Sequence, residues 1–322
     1  MKILITGGAG YIGSHVVSEL VKEHDIAVFD NLSHGYREAV DKKAGFVKGE
    51  LADFDKINDC LRKNNVDAVM HFAGFIEAGE SMHKPEKYLI NNVVNGINLL
   101  NAMVKNKVKK IVYSSSAAVY GQPKNIPIKE EEETKPTNVY GETKLMFERI
   151  LWRYEAAHGV KFAALRYFNA AGSNGKLGEQ HNPETHLIPR ALKAALEGSK
   201  IAIFGTDYPT KDGTCIRDYI HVVDLANAHI LSLNNLDSES KIYNLGSEKG
   251  YSVKEVIKTS EKITGKKIGT IESERRKGDP SILVASSAKI KKELGWMPRY
   301  SLKDIIKSAW EWHRNNPNGY GK

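Results

Sequence analysis

The sequence of 322 residues holds two cysteines, Cys60 and Cys215, far apart and in no CxxC or Cys/His pattern. That spacing gives no support to a disulfide framework or a cysteine-ligated zinc site. The 11 histidines are scattered and include no HExxH, so no metal is expected. No apolar run approaches the roughly 18 residues of a membrane-spanning helix, so no membrane partner is expected. No charged-then-apolar leader precedes MKILITGGAG, which makes the cytoplasm the expected location. Internal repeats and low-complexity tails are also lacking. Acidic residues are not scarce enough to make the net charge of +8 a nucleic-acid signal, because lysines are interspersed with them throughout. The densest basic stretches, 105–110 (KNKVKK) and 289–292 (KIKK), read as solvated helix ends, and no nucleic-acid partner is expected.

What is present is an alternation of two periods. Strand-length apolar runs occur at 3–6, 26–29, 66–72, 111–114 and 162–167, separated by helical patterns at 11–23, 53–64, 86–105 and 140–158. Repeated strand–helix alternation predicts an α/β fold, a doubly wound parallel sheet with helices on both faces. Ligands of such sheets bind beyond the carboxyl ends of the strands, where the strand order reverses. After about residue 172 the rhythm breaks at a loop rich in Gly, Asn and charge, GSNGKLGEQHNPE. The expected organisation is therefore a Rossmann-type domain over 1–172 and a smaller α/β lobe over 173–322. One segment near 215–245 is expected to return to the first sheet.

The first strand runs into Thr6-Gly7-Gly8-Ala9-Gly10-Tyr11-Ile12-Gly13, and a helical pattern follows at once. Glycines at 7, 10 and 13 suit a tight turn, backbone approach to a pyrophosphate, and close helix–strand packing. A helix start adds N–H groups and a positive dipole end for phosphate. The second strand ends at Asp30, whose carboxylate suits the two hydroxyls of an adenine ribose and repels a 2′-phosphate. The cofactor expected is NAD.

Tyr140 and Lys144 lie four residues apart at the start of a helix and so share one face. A cation beside a phenol lowers its pKa and makes it a usable base. The strand at 111–114 continues into Ser115, Ser116, Ala117 and Ala118 at the ligand-binding edge. A serine there can pass a proton to Tyr140 or polarise a carbonyl, although serines at strand ends also serve as caps. Together the three residues point to hydride transfer at a carbinol carbon.

These motifs resemble the extended short-chain dehydrogenase/reductase family and, within it, the UDP-hexose 4-epimerases. The likeness spans nearly the whole chain: TGGAGYIGSH (6–15), DNLSHG (30–35), HFAGFIEAGES (71–81), YSSSAAVYG (113–121), YGETK (140–144) and RYFNAAG (166–172). It continues through IFGTDYPTKDGTCIRDYIHVVDLA (203–226), YNLG (243–246) and RRKGD (275–279). The resemblance implies interconversion of UDP-glucose and UDP-galactose by oxidation at C4, rotation of the 4-keto sugar and re-reduction. It implies Ser116, Tyr140 and Lys144 as the catalytic set. Cofactor contacts would come from Gly7, Gly10, Tyr11, Ile12, Gly13, Asp30, Asn31, Leu32, Ser33, Gly35, Glu50, Leu51, Phe72, Ala73, Gly74, Asn91, Ser114, Tyr140, Lys144 and Phe168. Substrate contacts would come from Ser116, Tyr140, Asn169, His186, Leu187, Ala202, Phe204, Arg217, Arg276, Asp279 and Leu283. Two arginines, Arg217 and Arg276, also suit a diphosphate on chemical grounds, though surface ion pairs would account for them equally. A homodimer formed through the helices near 86–105 and 140–158 is implied as well.

Related sugar-nucleotide dehydratases carry an Asp-Glu pair after the Ser/Thr of this strand end, and the decarboxylase type a Glu at the second place. Here both positions are alanine, Ala117 and Ala118, which leaves no acid for elimination. Other departures are Ile76 where many epimerases have a cofactor-touching Lys, Glu50 where Asp is common, and His186 where some have Asn. Leu283, at the gate beside the sugar C2 substituent, is intermediate in bulk. It leaves open an epimerase of another UDP-sugar, N-acetylated or uronate. A non-catalytic NAD-sensing protein on the same fold would have no need of Ser116, Tyr140 and Lys144 together.

Overall fold

A computed structural model describes residues 1–276 and 278–321; Lys277, within the RRKGD segment, lies outside the described residues. The chain divides into two compact units: 1–120, 134–166 and 226–243 form the first, and 121–133, 167–225 and 244–322 the second.

In the first unit the strands are β1 (Lys2–Thr6), β2 (Asp25–Asp30), β3 (Gly45–Lys48), β4 (Ala68–His71), β5 (Lys110–Ser114) and β6 (Lys161–Tyr167). Each of β1, β2, β4 and β5 is buried along nearly its whole length. Apolar runs without alternation are what strands covered on both faces require. The sheet order is β6-β5-β4-β1-β2-β3, with the strand Lys241–Leu245 beyond β6 as the seventh. All pairings from β6 to β3 are parallel, and Thr6 aligns with both Phe29 and His71. The strand order reverses between β1 and β4, so the carboxyl ends of those two strands open the crevice. Behind it Leu4, Val69, Ile111 and Phe162 pack with Leu99, Leu100, Phe147 and Leu151 in one continuous core.

The helical patterns mostly hold, with ends set by local capping. Asp53 accepts from the Lys56 amide to start Phe54–Asn64, and Asn138 accepts from Gly141 to start Val139–His158. The single helix expected over 86–105 is instead broken into Pro85–Tyr88, a π-helical turn Leu89–Val94 and Asn95–Lys105. The wider turn brings Asn92 inward. Its Oδ1 accepts from Phe75 N at 2.9 Å, and its Nδ2 donates to Phe75 O at 3.0 Å and Thr143 Oγ1 at 3.2 Å. A regular helix would forgo that clamp on the loop after β4.

In the second unit, the strand Ile216–His221 pairs with Asn169–Ala171, Gly250–Ser252 and Ile282–Leu283. A separate parallel pair joins Lys200–Phe204 to Gly269–Ser273. Helices Leu187–Glu197, Val253–Thr264 and Leu302–Asn315 contribute to a core of Ile188, Leu192, Tyr219, Val256, Ile305, Ile306 and Trp310. Capping boxes at Ser252/Glu255 and Ser301/Asp304 fix the starts of the last two.

Candidate active site

The glycine turn is closed by its own backbone. Gly7 donates to Phe29 O, Gly10 donates to Gly7 O at 3.1 Å, and Ser14 donates to Gly10 O at 2.9 Å. Gly7 adopts φ +72°, and a Cβ on it would meet Ala73 N at 2.5 Å. A Cβ on Gly13 would lie 2.3 Å from Gly7 O, so this glycine is what lets the helix Tyr11–Leu20 sit against the turn. No side chain caps that helix among the described residues, and its first-turn N–H groups have no acceptor within the helix. Asp30 accepts from Ala9 N at 3.0 Å and Leu32 N at 2.8 Å, which fixes the carboxylate beside the turn. Burial raises its pKa and these amides pull it back.

A cleft runs from this turn across the strand ends. Gly7, Gly10, Asp30, Asn31, Ser33, Gly35, Glu50, Leu51, Phe72, Ala73, Gly74 and Asn91 all line it. The structure thus brings together twelve residues drawn from five sequence segments. The glycine cradle, the uncapped helix start and the carboxylate are complementary to a dinucleotide's pyrophosphate and adenine ribose.

At the carboxyl end of β5, Ser116 accepts from Ala118 N at 3.1 Å and hydrogen-bonds the Tyr140 phenol. Lys144 is 3% exposed, donates to Ser114 O at 2.8 Å, and lies 5.8 Å from the Tyr140 ring centroid. Ser114, Ser116, Tyr140 and Lys144 therefore form one cluster. The electrostatics depart from expectation. Burial pushes the Tyr140 phenol up to about 12; Ser116 lowers it and Glu77 raises it. Burial pushes the Lys144 ammonium down to about 8, and its Nζ donates to the Ser114 carbonyl.

A buried network backs this cluster. Arg166 binds Glu148 through two bonds, Nε–Oε1 at 2.9 Å and Nη2–Oε2 at 2.6 Å. Ser115 Oγ donates to the same carboxylate at 2.5 Å, and Arg166 Nη1 donates to the Tyr120 hydroxyl at 2.9 Å. The ion pair thereby holds the residues flanking Ser116 between β6 and the helix Val139–His158. No motif in the sequence marks it; apolar strand and helix patterns hide a matched charge pair.

The remaining expected residues belong to the second unit. Arg217 Nη2 pairs with Asp279 Oδ1 at 2.6 Å, and Leu283 is the parallel register partner of Arg217. The Arg276 guanidinium lies over the Phe204 ring at 4.1 Å, and Ala202 is on the same strand as Phe204. Asn169 donates to Asp218 O at 2.9 Å, and Phe168 N donates to Leu245 O. His186 is the N-cap position of the helix that begins at Leu187. Arg217, Asp279 and Arg276 all lie close enough to the Cys215 thiol to shift its pKa.

A family model described as "NAD dependent epimerase/dehydratase family" matches residues 3–246. The chain belongs to this family. It is 50% identical over 327 residues to a UDP-glucose 4-epimerase of Lactobacillus helveticus, covering 99% of each chain. A crystal structure of a UDP-glucose 4-epimerase superposes with a TM-score of 0.97 at 49% identity, covering 100% of both chains. The enzyme of Bifidobacterium longum in complex with NAD+ and UDP superposes at 0.95 with 40% identity, covering 99% of this chain and 100% of that one.

Among the epimerase/dehydratase positions not lining the cleft, Gly13 supports the turn and Leu32 tethers Asp30 through its amide. Tyr11 and Ile12 begin the helix. Sequence reasoning passed over Phe29, His34, Gly49, Phe75 and Asn95, which also line the cleft. Phe29 and Gly49 were findable as neighbours of Asp30 and Glu50; Asn95 was not, since it follows the π turn. At the departure Ile76, the neighbouring Glu77 Oε2 accepts from Ile76 N at 3.2 Å and Tyr88 OH at 3.1 Å.

Proposed function

We propose that the chain interconverts UDP-glucose and UDP-galactose with NAD as its cofactor, and that Ser116, Tyr140 and Lys144 do the proton work. The observation that carries this is the Ser116–Tyr140 hydrogen bond at the end of β5, beside two alanines where an eliminating enzyme needs acids. When bound, NAD would supply the two-electron acceptor and donor, and a positive ring charge near the phenol.

Tyr140 Oη takes the proton of the sugar 4-hydroxyl, and Ser116 bridges that oxygen to the phenol. Lys144 holds the Ser114 carbonyl and would also hold the nicotinamide ribose. After the 4-keto sugar has turned, Tyr140 returns the proton to the new alcohol oxygen, so no proton is gained or lost overall. Ala117 is only 6% exposed and neither it nor Ala118 has a group to expel water from the sugar. Gly7, Gly10 and Gly13 would cradle the cofactor pyrophosphate, and Asp30 would accept from the adenine ribose hydroxyls. In the second unit, Arg217 and Arg276 hold the substrate diphosphate, with Asp279 orienting Arg217. Asn169, His186, Leu187, Ala202, Phe204 and Leu283 complete the substrate contacts.

The protein works in the cytoplasm as a homodimer. The exposed apolar side chains Ile90, Val94 and Trp152 support pairing through the 86–105 and 140–158 segments. No helix among the described residues is long and apolar enough to cross a membrane.

The test is incubation of the purified chain, without added NAD, with UDP-galactose and separately with UDP-N-acetylgalactosamine, following the anomeric protons by NMR. UDP-glucose should form from the first. Conversion of the second alone would assign the enzyme to N-acetylated sugars. No 4-epimer from either, with folded protein and bound NAD, would refute the activity.

A further inference from the structure

The segment Gly178-Glu-Gln-His-Asn-Pro-Glu-Thr-His186 places Glu179, His181, Glu184 and His186 within eight residues of the second unit. Its start is clamped by the chain's last described residues. Gly178 N donates to Tyr320 Oη at 2.9 Å, Tyr320 N donates to Gln180 Oε1 at 2.8 Å, and a Cβ on Gly178 would overlap the Trp312 indole at 2.1 Å. Its end is fixed where His186 leads into the helix Leu187–Glu197, and His186 N donates to Glu184 Oε1 at 2.8 Å. The loop folds back so that one ligand-type atom from each of the four side chains lies within 4.8 Å of the others.

Three of the four nitrogen–oxygen spacings approach those of a coordination shell, and the fourth, His186 to Glu179, is shorter. His181 Nδ1 is 3.4 Å from Glu179 Oε1 and 3.5 Å from Glu184 Oε2; His186 Nδ1 is 3.5 Å from Glu184 Oε1 and 2.7 Å from Glu179 Oε1. Tetrahedral zinc with ligands at about 2.0–2.1 Å sets ligand atoms about 3.3–3.4 Å apart. Glu179 is 4% exposed, and neither its Oε1 nor His186 Nδ1 makes a hydrogen bond among the described residues, close as they are. Ligand-type atoms of all four side chains thus converge in this loop. A carboxylate buried without a hydrogen bond at that oxygen is costly, and a divalent cation relieves the cost at all four groups together.

We propose that Glu179, His181, Glu184 and His186 form a four-ligand Zn²⁺ site. Two imidazole nitrogens with two carboxylate oxygens suit Zn²⁺, and four protein ligands close the shell, as in structural rather than catalytic sites. The ion ties the loop after residue 178 to the first turn of the helix Leu187–Glu197. Ligation needs both imidazoles neutral and both carboxylates ionised, so zinc entry releases protons and binding weakens in acid.

The tag-free chain, stripped with a chelator and then dialysed against Zn²⁺, should retain about one zinc per chain by elemental analysis, with the cofactor-loaded fraction unchanged. His181→Asn and Glu184→Gln should each weaken Zn²⁺ binding by about 100-fold or more while leaving the far-ultraviolet circular dichroism intact. Should either variant fail to fold, the zinc-edge X-ray absorption spectrum of the unaltered protein gives the reading: four light ligands, two of them imidazole. A stripped chain that retains no zinc, variants that bind it as the parent does, or a six-oxygen shell would each overturn the site.

Discussion

Tyr140 is a poor base on its own account: burial pushes its phenol up to about 12, and Lys144, 5.8 Å from its ring centroid, spends a hydrogen bond on the Ser114 carbonyl. The spacing of Tyr140 and Lys144 was legible from the chain, and so was their meeting with Ser116. The expected lowering of the phenol by Lys144 was not met, because spacing says nothing of where an amine's hydrogen bond goes. The Ser114 carbonyl takes it. Tyr140→Phe keeps the ring and removes the proton carrier. Turnover measured by NMR should fall about 10²–10⁴-fold, the usual worth of a general acid–base, with the NAD released on denaturation unchanged. A rate within a few-fold of the parent would take Tyr140 out of the reaction.

At the scale of elements, the glycine turn was the most legible feature, since its three roles follow from backbone geometry alone. Gly13→Ala would drive a Cβ to 2.3 Å from Gly7 O, a backbone atom with nowhere to go. The purified variant should carry far less NAD than the parent, as read from the absorbance of the heat-released cofactor. Full occupancy would show that the turn accommodates the methyl. Less legible was the break at Leu89–Val94, because π turns have no residue signature and this one is set by the bonds Asn92 makes to Phe75. The Glu148–Arg166 pair was hidden for a related reason, two charged residues within otherwise buried elements. Arg166→Met leaves Glu148 buried and unpaired and should destabilise the protein by about 3–5 kcal/mol in denaturant titrations. Arg166→Met combined with Glu148→Leu should recover much of that loss. Equal losses in single and double variants would contradict the pairing account.

For the whole molecule, doubly wound topology followed from the strand–helix rhythm, while the order of the strands came only with the structure. The site residues of the second unit were located by resemblance rather than by pattern, and there the loop at 179–186 went unread. A search for HExxH misses ExHxxExH, because folding and not helical spacing brings those four side chains together. Global stability also carries a pH signature from the core. His71 is 2% exposed with Thr6 Oγ1 at 2.7 Å, and burial, aided by the Lys144 charge, pushes its pKa down to about 3. The unfolded chain takes up that proton below about pH 6.5 while the folded chain resists it until about pH 3, so stability falls as pH drops through this window. Between pH 7 and 5 the contribution is about 2 kcal/mol. His71→Gln should flatten the pH dependence of unfolding by that amount; an unchanged slope would place the titration elsewhere.

The most direct measurement of the central claim follows the hydrogen on C4. UDP-galactose carrying deuterium at C4 is converted by the purified chain in ordinary water, and the product is analysed by NMR and mass spectrometry. Oxidation and re-reduction at one carbon, with Tyr140 handling only the oxygen-bound proton, predicts UDP-glucose that retains the deuterium at C4. Deuterium lost to solvent, or product labelled at any other carbon, would contradict it.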